Sequence, residues 1–170
     1  SGNSVTAYRE SSVNSPTICE SETRTCTSGS LSGSYTNPSC VVRSGSISST
    51  SSCTIALGAS TCTVGVEWAS TYLASPALVD ENVGSTLSTN ATQGAPGLTT
   101  WIAYPQTTLT LKDGTEIFDT KVITASCGTG NSWSPVLSRC IVSPTASISA
   151  VPTNSDYNER STLTWSSSNA

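Results

Sequence analysis

The sequence has 170 residues and is poor in charge, with 11 acidic residues, 7 Lys or Arg residues and a net charge of −4. So few cations cannot neutralise the phosphates of a nucleic acid or hold the chain on an anionic lipid surface, so neither is an expected partner. The absence of histidine excludes Cys/His zinc sites and catalytic pairs that use a histidine base. No apolar run approaches the roughly 20 residues that span a bilayer, so no membrane insertion is expected.

The first predicted element is a strand over 4–8, followed by a region with three of the seven cysteines, Cys19, Cys26 and Cys40. A β-prone run leads to Cys26, and a Gly/Ser-rich turn then leads to Cys40. This pattern predicts a short hairpin or open loop closed by a Cys26–Cys40 disulfide. Because the cysteine count is odd and no signal peptide opens the chain, we expect an internal or processed piece in which Cys19 bonds to a partner upstream.

The middle of the chain has the pattern of a β-sandwich. β-prone runs between turn residues predict strands around Ile47 and over 53–55, 62–68, 77–79, 98–104, 108–111 and 117–126. In the run 62–68, Cys62, Val64, Val66 and Trp68 alternate with polar residues, which predicts a half-buried strand with these four on the core face.

The last two of these runs predict a hairpin around the turn 112–115. Leu109 and Leu111 are expected to point inward. The apolar residues of the second arm keep no single phase, which predicts a β-bulge near Asp119.

The remaining cysteines are expected to form two short-range disulfides, Cys53–Cys62 and Cys127–Cys140. Their spacing fits no four-thiolate zinc site, so no metal or other cofactor is expected. A disulfide framework implies an oxidising compartment, and hence an extracellular or cell-surface location.

An internal repeat follows, because the segment 46–71 can be aligned with 147–168. Residues 144–170 therefore read as the first strands of a further sandwich. Trp68 and Trp165 occupy equivalent positions on the apolar face, so both are expected to pack in a core.

Two segments resemble known families. Ser-Val-Thr-Ala-Tyr at 4–8 and Ser-Glu-Thr-Arg-Thr-Cys-Thr-Ser-Gly-Ser-Leu-Ser-Gly-Ser-Tyr at 21–35 resemble a cysteine-rich β module of large bacterial secreted and surface proteins with modular repeats. Ser-Thr-Leu-Thr-Trp-Ser at 161–166 is similar to the start of a bacterial immunoglobulin-like domain. These resemblances imply spacer, stalk, filament or adhesion roles and supply no catalytic residues.

Asn-Ser-Trp-Ser at 131–134, ahead of Cys140, is similar to the last half of a sushi module. The alternate pairing of such modules implies a second possibility, in which Cys19 bonds to Cys40 and Cys26 takes the upstream partner.

Few residues are candidates for a binding site. Trp101, Tyr104 and Trp133 are the expected exposed contacts, with Trp133 in a disulfide loop as the strongest. The acidic groups at 80–81 and 113–119 are expected to serve turns and strand edges rather than a paired-carboxylate or calcium site. The sequence Asn90-Ala91-Thr92 is an N-glycosylation acceptor.

The sequence thus predicts an all-β protein in three pieces. Residues 1–44 form a small disulfide-stapled module, 45–143 an immunoglobulin-like sandwich with a terminal disulfide loop, and 144–170 an incomplete second sandwich. No enzymatic activity is expected. The predicted function is structural, as a section of an extracellular stalk or filament. Its expected partners are copies of itself, with inter-chain strand pairing, or neighbouring domains of the same chain. The alternative is an adhesin module that binds glycans or proteins on another cell through exposed aromatics.

Overall fold

A computed structural model describes residues 2–89, 98–151, 153–154, 156–157 and 160–168. These residues form sixteen strands and no helix, so the predicted all-β class is confirmed. In chain order the strands are β1 (Ser4–Tyr8), β2 (Ser12–Asn14), β3 (Ser21–Thr27), β4 (Ser30–Leu31), β5 (Val41–Ser49), β6 (Ser52–Ile55), β7 (Thr61–Thr71), β8 (Pro76–Asp80), β9 (Ser85–Ser88), β10 (Leu98–Ala103), β11 (Gln106–Asp113), β12 (Glu116–Cys127), β13 (Asn131–Ser134), β14 (Arg139–Val142), β15 (Thr145–Val151) and β16 (Thr162–Ser168).

Two sheets contain most of the core. One has the order β10-β7-β5-β2 and the other the order β6-β12-β11-β8-β9. The alternation predicted for β7 is confirmed. Its apolar side chains at 62, 64, 66 and 68 are buried, and the three residues between them are exposed. The buried side chains form one cluster with side chains of the opposite sheet, including Leu78, Leu109, Leu111 and Ile123.

The β11–β12 hairpin closes this core. Leu111 pairs with Asp119 whereas Lys112 pairs with Ile117, so Phe118 is the extra residue of a bulge. The bulge predicted near Asp119 is therefore confirmed. The carboxylate Oδ2 of Asp119 accepts a hydrogen bond from the backbone N–H of Ile47 at 2.7 Å, which connects the hairpin to the other sheet.

Two disulfides have the expected partners. Cys53 lies in β6 and Cys62 in β7, and because these strands belong to different sheets, their bond links the two layers. Cys127 at the end of β12 bonds to Cys140 in β14, which closes the loop that carries the β13–β14 hairpin.

The preferred pairing in the first region is wrong: Cys40 bonds to Cys19, and Cys26 has no disulfide partner within the described residues. The expected return strand is short, since β4 ends at Leu31, which lies opposite Cys26. The chain then passes to the far side of β1, where Asn37 bridges to Tyr8. This path brings Cys40 to Cys19, just before β3, and away from Cys26. The division of the chain into three pieces stays a prediction.

The β5–β7 and β15–β16 strand pairs share one pair of residue types in register. Ile47 of β5 pairs with Trp68 of β7, and Ile148 of β15 pairs with Trp165 of β16. Their surroundings differ, because Trp68 is 3% exposed and Trp165 is 76% exposed. The prediction that Trp165 packs in a core is therefore wrong for the described residues. β15 and β16 form a two-stranded sheet, and none of the described residues forms a second layer over its apolar face.

The close approach of the two sheets at Gly45 leads to a first prediction. A Cβ at this position would lie 2.6 Å from Leu111 Cδ2 and 2.9 Å from Phe118 Cβ. We expect Gly45→Ala to lower the free energy of unfolding by about 1–3 kcal/mol, because the opposite sheet must shift. The measurement is urea denaturation without reductant.

Gly65→Ala is the matched control, because a Cβ on Gly65 would meet no atom within 4 Å. It is expected to leave stability unchanged or slightly raised, since it restricts only the unfolded chain. Equal stability of the two variants would contradict the close approach at Gly45.

Candidate functional site

Two of the three aromatic candidates contact each other. The rings of Tyr104 and Trp133 stack with centroids 4.5 Å apart and an interplanar angle of 11°. Trp133 is half-buried and also packs against the sandwich core. The prediction that Trp133 is the strongest candidate for an exposed contact is therefore wrong. Its role is to fix the disulfide loop against the end of β10, and such stacking contributes about 0.5–1.5 kcal/mol beyond the burial of area.

Trp101 is separate from this pair. The alternation of β10 buries Thr100 and Ile102 and points Trp101 outward, where it is 68% exposed. It faces solvent on the outer surface of the four-stranded sheet. The structure thus leaves Trp101 as the one member of the predicted trio with a largely uncovered ring.

A polar cluster around Arg43 joins four segments of the chain. Arg43 Nη2 donates to Asp113 Oδ2 and Nη1 donates to Glu116 Oε2, each at 2.6 Å. The Asn14 amide also donates to Glu116, and the guanidinium lies 5.0 Å from the centroid of the Phe118 ring. Such two-partner recognition uses the planar geometry of arginine, which lysine lacks.

Asp113 is the most enclosed acid of this cluster. Its two carboxylate oxygens accept hydrogen bonds from the backbone N–H groups of Ala74 at 3.0 Å and Ser75 at 2.9 Å. These bonds, followed by the Arg43 guanidinium, hold the pKa of Asp113 below its ordinary value of 3.8. The Asn14 amide and then Arg43 likewise lower the pKa of Glu116. The bonds of these two carboxylates join the hairpin turn to β2, to β5 and to the segment 74–75.

The acidic residues at 80–81, the other group identified in the sequence, also form hydrogen bonds within the fold. Glu81 Oε1 accepts from Lys112 Nζ at 2.5 Å and from Thr110 Oγ1 at 2.6 Å, and these bonds lower its pKa. Asp80 Oδ1 accepts from the N–H of Asn82. Among the described residues, no cluster of three or more Asp, Glu, Cys or His side chains is arranged to hold a metal ion.

Sequence reasoning missed Arg43, although one signal was available. The chain has only 7 cations, so a cation in a β-prone segment is expected to pair with an acid of another strand. The hairpin turn with Asp113 and Glu116 supplies that acid. Asn90, the predicted glycosylation site, lies outside the described residues.

Comparisons with known proteins identify no relative: the chain matches no protein-family model, no curated protein and no solved structure. None of the described residues belongs to a helix with the length and hydropathy needed to cross a membrane. The three disulfides indicate that the protein folds in an oxidising environment.

The Arg43 cluster predicts a pH dependence of stability. Both carboxyls have lower pKa values in the folded state, so the unfolded chain takes up more protons as the pH falls. The stabilisation is complete above their ordinary pKa values and is lost as acid protonates the folded carboxyls. Asp113→Asn should lower the free energy of unfolding by about 2 kcal/mol at neutral pH and should flatten its fall between about pH 5 and pH 2.

Urea denaturation across that pH range makes the measurement. Asp156→Asn removes the same charge at an exposed position and is expected to keep the wild-type stability and pH profile. If the free energy of unfolding of Asp113→Asn falls as steeply with acid as that of the wild type, Asp113 contributes nothing to the pH dependence.

Proposed function

We propose that this chain is a structural section of an extracellular stalk or filament in which neighbouring copies pack through the β15–β16 hairpin. One observation carries the proposal: the hairpin repeats the Ile–Trp pairing of the sandwich, yet its apolar face is uncovered. The described residues are compatible with a disulfide-rich, all-β extracellular module, and the proposal assigns this module to a stalk or filament.

The two copies of the repeat show what the hairpin lacks. In the sandwich, the Ile47–Trp68 pair is covered by the opposite sheet, with Leu109 and Leu111 fully buried. In the hairpin, Ile148, Leu163 and Trp165 are all more than half exposed. A two-stranded hairpin alone is at best marginally stable in water, so a second layer or further strands would stabilise it.

A neighbouring copy is the proposed source of that layer. The apolar face is the same on every copy, so two hairpins are chemically self-complementary. Within the described residues, each strand of the hairpin pairs on one side only, which leaves an edge for β-augmentation by another copy. Hydroxyl pairs such as Ser147–Ser166 at 2.8 Å keep the opposite face polar.

The disulfides suit a structural role. They close chain separations of 21, 9 and 13 residues, and each such closure stabilises a domain by about 3 kcal/mol in the chain-entropy model. One of them, Cys53–Cys62, links the two layers of the sandwich, so a force that pulls the sheets apart acts on a covalent bond. This supports a role in which the section resists proteolysis and shear.

Self-association tests the proposal. Sedimentation velocity over a series of concentrations should show that the wild-type protein associates, and that Ile148→Ser combined with Trp165→Ser keeps it monomeric. The reason is that these substitutions remove most of the apolar area of the hairpin face.

Trp101→Ser is the control, because Trp101 is equally exposed but lies on the sandwich. It should associate as the wild type does. A wild-type protein that stays monomeric at all concentrations would overturn the proposal.

The disulfide pattern leads to a separate prediction. Replacing Cys53 and Cys62 together by alanine should lower the free energy of unfolding by about 3 kcal/mol and speed digestion by thermolysin. Cys26→Ala is the control and should change neither quantity, since Cys26 forms no disulfide within the described residues. A large loss of stability in Cys26→Ala would instead support the Cys26–Cys40 pairing.

A further inference from the structure

The outer face of the four-stranded sheet presents one large aromatic ring, and the side chains around this ring are small. Trp101 lies on the edge strand β10, directly opposite Thr63 of β7. The next outward pair is Thr99 with Gly65. Because a Cβ on Gly65 would meet no atom within 4 Å, the surface beside the indole ring is open.

The same face continues as a polar surface across β7 and β5. Ser48 pairs with Glu67 and Ser46 with Ala69, and all four side chains are exposed. Glu67 is the one charged residue among the outward positions of these three strands. It lies four residues along β7 from Thr63, roughly 13 Å at the rise of a β-strand, so the surroundings of the ring itself are uncharged.

This chemistry disfavours several classes of partner. A nucleic acid that stacks on Trp101 would need cations for its phosphates, and the outward positions of these strands carry none. A protein interface of standard size needs an apolar centre of several large side chains. Here a single ring is surrounded by Thr, Gly, Ala and Ser.

A neutral sugar chain fits each of these features. The faces of a pyranose ring carry C–H groups that stack on the electron-rich face of an indole. Its hydroxyls point sideways, where Thr63, Thr99 and the serines of β5 offer donors and acceptors. The absence of cations on this face disfavours anionic sugars, and the flat, open surface beside Gly65 accommodates an extended chain.

We propose that Trp101 and the outer face around Thr63 and Gly65 bind a neutral, extended polysaccharide chain that lies flat on the sheet. This inference goes beyond the proposed structural function and does not depend on it. One stacked ring gives weak binding, so the site acts through repeated copies if the chain is present many times on one surface.

Affinity electrophoresis in native gels tests the proposal, because it detects weak binding. The gels contain hydroxyethyl cellulose, a mixed-linkage β-glucan or galactomannan as neutral probes, and alginate as the anionic probe. At least one neutral probe should retard the wild-type protein, and alginate should not. Trp101→Ala should weaken the retardation about tenfold or more, since it removes the stacking surface.

Two further variants keep the test sharp. Gly65→Val retains a β-prone residue but puts a branched side chain beside the indole, and it should weaken binding as Trp101→Ala does. Tyr72→Ala removes an aromatic ring of similar exposure outside both proposed surfaces and should bind like the wild type.

The proposal is overturned if no neutral probe retards the wild-type protein, if alginate does so more strongly, or if Tyr72→Ala is as defective as Trp101→Ala. A change of oligomeric state in Trp101→Ala without sugar binding would also overturn it and would assign the face to a protein partner. Failure of the structural proposal is seen separately, because it is read from the sedimentation of the wild-type protein without sugar.

Discussion

The burial of one face of β7 against the β11–β12 hairpin is the interaction on which the rest of the fold depends. The alternation from Cys62 to Trp68 puts four apolar side chains on one side, and Leu109 and Leu111 meet them from the other sheet. Because the sheets come so close at Gly45, a side chain there has no room. The inter-sheet disulfide and the Asp119 contact to Ile47 then hold a packing that the apolar faces already favour.

Several of the few charges of the chain lie where segments join. Arg43 holds the hairpin turn through Asp113 and Glu116, and Lys112 holds Glu81. Elsewhere the surface is hydrated mainly by hydroxyls, which hold water without strong attraction to charged partners.

The isoleucine–tryptophan pairs of β5–β7 and β15–β16 differ in their surroundings. The same pair of side chain types, isoleucine opposite tryptophan, is buried in the sandwich and exposed in the hairpin. The sequence pattern is common to both, so the difference lies in what covers the face. Trp101 shows the same principle on the other side of the sheet, where an outward position on an edge strand leaves its ring free.

The sequence by itself determined the all-β class, the strand faces, the bulge near Asp119 and two disulfides, because each depends on neighbours within about a dozen residues. Only the tertiary structure decided that Cys19 bonds to Cys40, that Trp133 stacks on Tyr104 and that Trp165 is uncovered. It also brought Arg43 to Asp113, 70 residues away in the chain. The physical reason is that alternation tells which way a side chain points, whereas burial and pairing depend on which distant segment lies opposite.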